Sequence, residues 1–276
     1  DLDMTKLAVV GATGLVGTKM LETLDRKEIP FDELVLFSSA RSAGQTIEFQ
    51  GQTYTVQELT DEAASEHFDY VLMSAGGGTS EHFAPLFEKA GAIVIDNSSQ
   101  WRITEDVDLV VPEVNEPHFT RGIIANPNCS TIQSVVPLKV LQDAFGLSRV
   151  AYTTYQAVSG SGVKGKRDLS EGANGKAPEA YPHPIYNNVL PHIDVFLENG
   201  YTKEEQKMID ETRKILNDKD LKVTATCVRV PVQDSHSVEM DVTLKQDTTV
   251  EAIQELFDKD DRVVLVDNPA KNEYPL

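Results

Sequence analysis

The sequence predicts an α/β chain in two parts: a doubly wound, parallel-sheet domain over residues 1–127, then an α+β domain with a mixed sheet over 128–276. Three observations predict this. Short apolar runs alternate with helical segments through the first half, opening on a strand, a glycine-rich turn and a helix. After residue 128 the rhythm changes to longer runs rich in Val, Thr and Tyr. A length of 276 residues suits two domains, at about 100–200 residues each.

Lys6-Leu7-Ala8-Val9-Val10 reads as a buried strand, and Gly11-Ala12-Thr13-Gly14-Leu15-Val16-Gly17 follows at once, with residues 18–24 helical. Glycines at 11, 14 and 17 let the backbone approach a pyrophosphate, and the helix N-terminus supplies N–H donors to it. This is a Rossmann-type nucleotide site, although the spacing is G-x-x-G-x-x-G rather than the commoner G-x-G-x-x-G. The alternative is a tight βα turn whose glycines serve packing alone. Residues 33–37, 70–74 and 92–96 continue the sheet. An NAD site usually carries an acidic residue near the end of the second strand, to accept from the ribose 2′-OH. Here that place reads Ser38-Ser39-Ala40-Arg41-Ser42-Ala43-Gly44, with hydroxyls and a guanidinium suited to a 2′-phosphate. NADP is therefore expected over NAD, against the alternative of a solvated loop arginine. A second glycine-rich run at 74–80 either passes beneath the dinucleotide or is a flexible turn, and the sequence leaves both open.

In the second half, Asn126-Pro127-Asn128-Cys129-Ser130-Thr131 sets a cysteine at the start of a helical segment, residues 130–144. There Ile132, Val135, Val136, Leu138 and Leu141 fall near helical spacing. A cysteine at a helix N-terminus faces unpaired N–H groups and the positive end of the macrodipole, which favours its thiolate. Cys129 is thus a candidate nucleophile toward an electrophilic carbonyl, the alternative being a buried, inert cysteine. Residues 149–158, 222–232 and 237–245 read as strands. Residues 203–217 read as a helix with Met208, Thr212, Ile215 and Leu216 inward, and 163–182 as a long loop or mobile region. His236 lies in the connection between two strands, where its ordinary pKa suits proton transfer near neutrality. His67, His82, His118, His183 and His192 read as surface or packed residues. Cys227, two residues before Arg229 on a strand, shares its face and reads as packing.

Composition narrows the function. With 25 basic against 44 acidic residues the net charge is −19, a poor match to nucleic acid or an anionic membrane. Two cysteines without a C-x-x-C pair argue against a disulfide framework and a cysteine zinc site, and no metal is expected. A working thiol fits a reducing cytoplasm. There is no apolar run of transmembrane length and no signal-peptide pattern. Met4 reads as the native start, with Asp1, Leu2 and Asp3 preceding it.

These residues converge on a family. The chain resembles the aspartate-semialdehyde dehydrogenases along essentially its whole length. The motifs are GATGLVG (11–17), SSARSAG (38–44), DNSSQWR (96–102), VVPEVN (110–115), NPNCST (126–131), TYQAVSGSG (154–162) and RVPVQDSHS (229–237). The resemblance implies a glyceraldehyde-3-phosphate-dehydrogenase-like architecture, with a catalytic and dimerisation domain second, and a homodimer. It implies NADP-dependent, reversible reduction of 4-phospho-L-aspartate to L-aspartate 4-semialdehyde through a cysteine acyl-enzyme. Such an enzyme serves amino-acid biosynthesis from aspartate: lysine (by diaminopimelate), threonine and methionine.

By the same resemblance Cys129 is the nucleophile, His236 the general acid/base, and Gln156 orients the substrate. Arg229 grips the substrate carboxylate, Arg102 and Lys207 line the phosphate pocket, and Glu204 is a substrate-site carboxylate. Thr13 to Val16, Arg41, Ser42, Ser159 and Gly160 match cofactor contacts. Read without the resemblance, Glu204 and Lys207 are i,i+3 helix neighbours and so an ordinary surface ion pair. The sequence is expected to stop short of the family's C-terminal segment, and 163–182 to be rearranged against the usual helical insertion. The competing readings are an N-acetyl-glutamyl-phosphate reductase, a non-catalytic NADP-binding protein, and a cysteine hydrolase. The last leaves the glycine turn and Arg41 unexplained.

Overall fold

The structure, a computed structural model, describes residues 4–276. The reading of Asp1, Leu2 and Asp3 as preceding the native start lies outside those residues. Among the described residues two compact units form. One holds the chain up to Val110 with Glu116–Pro127, and the other holds Val111–Asn115 with Asn128–Leu276.

The first unit runs β1 (Lys6–Val10), α1 (Leu15–Arg26), β2 (Glu33–Ser38), β3 (Thr46–Phe49), β4 (Gln52–Thr55), β5 (Gln57–Glu58) and α2 (Asp61–Ala64). It continues with β6 (Tyr70–Met73), α3 (Gly77–Lys89), β7 (Ile93–Asp96), β8 (Asp108–Leu109) and β9 (Ile123–Ala125). Seven of these strands form one parallel sheet in the order β5-β2-β1-β6-β7-β9-β8. The chain passes from β1 to β2 on one side and returns to β6 on the other. That reversal is where an open α/β sheet leaves a crevice at its carboxyl edge. Leu7 and Val9 of β1, Leu21 and Leu24 of α1, and Leu34 and Leu36 of β2 close one core cluster. The Leu21/Leu24 spacing presents one face of α1 to the sheet, as amphipathic packing requires.

One feature of this unit was not read from sequence. β3 and β4 form an antiparallel hairpin around Gln50 and Gly51, both at positive φ as a tight hairpin turn demands. The glycine-rich run 74–80 belongs to a strand-to-helix turn, with Gly76 at φ 86° as the N-cap of α3.

The second unit holds α4 (Cys129–Phe145), β10 (Leu147–Gln156), α5 (Gly162–Gly172), α6 (Lys203–Ile215), β11 (Lys222–Arg229), β12 (Ser237–Leu244) and α7 (Val250–Lys259). Its sheet is mixed, in the order β11-β10-β12, with β10 parallel to β11 and antiparallel to β12. Helix α6 starts on a capping box between Thr202 and Glu205. Met208, Thr212, Ile215 and Leu216 are all buried beneath or just past it.

The expectation of a long loop over 163–182 is corrected. Its first half is α5, and Asp168 on that helix accepts the backbone N–H groups of Glu179, Ala180 and Tyr181, anchoring the chain beyond. Glycines 165 and 172 hid the helix by their low propensity. Gly165 is there because an added Cβ would stand 2.5 Å from the Val158 carbonyl oxygen. Among the described residues no helix is long and apolar enough to cross a membrane, and no group of His, Cys, Asp or Glu could hold a metal ion.

Candidate active site

The first unit carries a crevice of about 460 Å³ at the carboxyl ends of β1, β2 and β6. Val10, Gly11, Thr13 and Gly14 line one side, Ser38, Ser39 and Leu59 another, and Ser74, Ala75, Thr79 and Phe83 the third. Its floor is as bare as backbone allows. Gly11 has φ +84°, and a Cβ on it would fall 2.1 Å from the Ser74 carbonyl oxygen. One on Gly17 would fall 2.0 Å from that of Gly11. Gly14 is the N-cap of α1 and makes no side-chain cap bond, so no side chain of its own covers the helix N-terminus. This is a fitting cradle for a pyrophosphate.

Leu15 and Val16 form the first turn of α1 with Gly17, and Val16 is exposed. Ser38 is buried, Ser42 half-buried and Arg41 exposed in the turn after β2. The second glycine-rich run contributes Ser74, Ala75 and Thr79 to the same crevice.

The second unit assembles a different cluster. Cys129 is the first residue of α4 and is exposed. Asn128 caps that helix, its Oδ1 accepting from the N–H groups of Ser130 (2.9 Å) and Thr131 (3.3 Å). The rest of the Asn128 amide is also committed: Nδ2 donates to Glu204 Oε1 at 2.6 Å. Glu204 Oε2 in turn accepts from Gln156 Nε2 at 3.0 Å, and Gln156 Oε1 accepts from the Thr154 hydroxyl at 2.7 Å. All four residues are buried. Glu204 therefore has a defined place behind the nucleophile and is no surface partner of Lys207.

Ala157, the next residue along the chain, holds the other two groups. Its carbonyl accepts from Arg229 Nη1 at 2.7 Å, and its N–H donates to His236 Nδ1 at 2.9 Å. With Nδ1 accepting, neutral His236 carries its proton on Nε2. Burial, then the nearby Arg229 charge, holds the His236 pKa below its ordinary value, partly opposed by Glu204. An imidazolium would also turn an Nδ1–H toward the Ala157 N–H, donor against donor. Arg229 is itself buried, lies over the Tyr181 ring at 5.7 Å, and leaves its Nε without a hydrogen-bond partner. Gly160 lies against both: a Cβ there would stand 3.1 Å from Arg229 Nη1 and 3.4 Å from His236 Nε2. Ser159 donates its N–H to the Gln233 carbonyl.

Two sequence-derived residues are bonded to other groups. Lys207 pairs with Asp194 at 3.3 Å. Arg102 belongs to the first unit, where its Nε donates to the Asn126 carbonyl and its Nη2 to that of Asn97. Cys227 is fully buried with its sulfur 3.5 Å from that of Met208, and burial pushes its thiol up to about 12.

Comparison with known proteins identifies the family. Residues 6–121 match the model of the semialdehyde dehydrogenase NAD binding domain, and residues 138–276 that of the semialdehyde dehydrogenase dimerisation domain. An aspartate-semialdehyde dehydrogenase of Aquifex aeolicus is 49% identical over 98% of this chain and 83% of its own length. The chain belongs to the aspartate-semialdehyde dehydrogenase family.

Solved structures of the family superpose on it. Aspartate semialdehyde dehydrogenase II of Vibrio cholerae, complexed with ASA, gives a TM-score of 0.87 at 43% identity, covering 94% of this chain and 80% of that one. The Candida albicans enzyme with NADP gives 0.70 at 27% identity, covering 92% and 76%. As a member of that family the chain is an oxidoreductase, with a Rossmann-type NAD(P)-binding unit and a second unit of the dimerisation type. Sequence reasoning missed two parts of the cluster, Asn128 and Glu211, whose Oε1 accepts the Asn128 N–H at 2.6 Å. Asn128 offered a signal, being a cap-type residue directly before the cysteine. Glu211 offered none, because a glutamate on an amphipathic helix reads as solvated.

Proposed function

We propose that this chain carries out the NADP-dependent, reversible reductive dephosphorylation of 4-phospho-L-aspartate to L-aspartate 4-semialdehyde through a thioester on Cys129. One observation carries the reading. Exposed Cys129 heads α4 directly after Asn128, and buried hydrogen bonds lead from Asn128 through Glu204 to Gln156, the neighbour of the residue that holds Arg229 and His236.

The Cys129 thiolate attacks the acyl carbon, a C–S bond forms, and the C–O bond to phosphate breaks. Bound NADPH supplies the hydride that reduces the thioester carbon, after which the C–S bond breaks and the aldehyde leaves. Arg229 receives the substrate carboxylate with the donors that Ala157 does not occupy, a task suited to a planar guanidinium. Gln156 commits one Nε2 proton to Glu204 and has the other for the substrate. His236 presents Nε2–H to the oxygen that gains charge when the carbonyl is attacked. Glu204 orients Gln156 and Asn128. Arg102 and Lys207 bind the substrate phosphate, Lys207 exchanging Asp194 for it.

The dinucleotide is held by Gly11, Thr13, Gly14, Leu15, Val16 and Gly17 at the α1 N-terminus, with Ser38, Arg41 and Ser42 at the ribose and Ser159 and Gly160 beyond. The missing carboxylate after β2 favours NADP, the cofactor that the Candida albicans relative was solved with. The ASA bound to the Vibrio cholerae relative supports the substrate. We also propose a homodimer, a reducing cytoplasm as the place of action, and a role in making lysine, threonine and methionine from aspartate.

The test is phosphate-dependent NADPH formation from L-aspartate 4-semialdehyde, with mass spectrometry of the acyl-enzyme. Cys129→Ser should abolish both while leaving the melting temperature and NADP affinity unchanged. Substantial residual turnover in that variant would sink the assignment.

A further inference from the structure

The N-cap of α4 has an unusual support. In a capping box the residue three positions after the cap reaches back to the cap's own backbone N–H. Here that position is Thr131, whose buried hydroxyl finds no partner. The Asn128 N–H donates instead to Glu211 Oε1 at 2.6 Å, from a helix 83 residues further along the chain. Glu211 is 1% exposed. It lies seven residues, about two helical turns, after Glu204 on α6. Both carboxylates converge on Asn128, one on its backbone N–H and one on its side-chain amide.

We propose that Glu211 is a positioning residue for the nucleophile: by accepting the Asn128 N–H it clamps the Pro127–Asn128 peptide, one residue before Cys129. The proposal rests on the reading of Cys129 as the nucleophile. The Asn128 carbonyl already accepts the first helical bond, from the Ile132 N–H at 2.9 Å, but the Asn128 N–H lies outside the helical ladder and no helical hydrogen bond restrains it. Left loose, it lets the first residue of the helix shift, and misplacement of a reacting atom by about 1 Å can cost on the order of 100-fold in rate. The clamp fixes Cys129 to α6, the helix that also carries Glu204 and Lys207, so the thiol and the proposed substrate contacts keep one geometry. Acceptor position is the requirement, and negative charge is incidental.

Two substitutions separate these. Glu211→Gln keeps an acceptor oxygen at the same reach and removes the charge. Glu211→Asp keeps the charge and withdraws the acceptor by roughly 1.5 Å, beyond hydrogen-bond distance. The readouts are kcat and KM for L-aspartate 4-semialdehyde, and the pH dependence of Cys129 alkylation by iodoacetamide, followed on its own peptide by mass spectrometry. Buried Cys227 stays silent in that assay.

Glu211→Asp should lower kcat by about 10- to 100-fold with KM near the parent value, and move the alkylation midpoint to higher pH as the thiol leaves the helix N-terminus. Glu211→Gln should restore kcat to within about three-fold and show no upward shift. Parental kcat and midpoint in Glu211→Asp would overturn the proposal, as would a loss in Glu211→Gln as deep as in Glu211→Asp. Turnover by Cys129→Ser is the separate result that removes the nucleophile reading, whatever the Glu211 variants do.

Discussion

Replacing Arg229 with lysine keeps the positive charge and removes the fork. Nη1 of Arg229 donates to the Ala157 carbonyl at 2.7 Å, while its buried Nε has no partner. A guanidinium can therefore hold the Ala157 carbonyl and a substrate carboxylate at once. A single ammonium on a flexible stem cannot offer both in fixed geometry. Losing a charge-assisted contact costs about 1.5–3 kcal/mol. At 0.59 kcal/mol for RT, that is a fall of about 10- to 150-fold in kcat/KM for Arg229→Lys. Steady-state kinetics with L-aspartate 4-semialdehyde, phosphate and NADP measure it. A kcat/KM within about three-fold of the parent would refute the role of the fork. The pH profile is an internal control. Arg229 is the second cause, after burial, of the lowered His236 pKa, so its charge disfavours the imidazolium. Arg229→Lys should leave the acid limb of kcat where it is, and Arg229→Met should move that limb to higher pH.

Other outcomes follow from the same geometry. His236 is held below its ordinary value of 6.5, so its neutral form is lost only as pH falls past that value; His236→Asn should abolish that acid limb and lower kcat by about 10²–10⁴. An unchanged profile with near-parental kcat would remove His236 from the mechanism. Arg41→Ala should weaken NADP binding by roughly 1.5–3 kcal/mol and leave NAD nearly unchanged, as calorimetric titration would show. Equal losses would mean that Arg41 does not read the 2′-phosphate. Gly17→Ala sets a methyl 2.0 Å from a backbone oxygen that cannot step aside, so we expect a stability loss of about 1–3 kcal/mol and weakened dinucleotide binding, read by denaturant melts and cofactor titration.

Elements whose signal is local were legible in the sequence. β1, the glycine turn and α1 follow one another as strand, punctuation and amphipathic period. The α4 start was visible as a cysteine at the head of an apolar-periodic run. The buried face of α6 was readable for the same reason. Elements whose cause is distant were not. Helix α5 contains Gly165, demanded by the Val158 carbonyl and the Tyr181 hydroxyl, groups that sequence spacing does not bring near. The β3–β4 hairpin turns on Gln50 at φ 51°, a conformation that glutamine does not advertise.

The site divides along the same line. Residue type and position nominated Cys129 and His236, because each has a chemistry its side chain alone can announce, while Arg229, Gln156 and Glu204 were nominated by the family resemblance. Only the tertiary structure decided what each is bonded to. It gave Lys207 to Asp194, tied Glu204 to Asn128 and Gln156, put the His236 proton on Nε2 through the Ala157 N–H, and brought Glu211 to the Asn128 N–H. The physical reason is that helical and strand periods act over a few residues, whereas a buried polar group must find its partner wherever the chain returns, here 48 to 83 residues away.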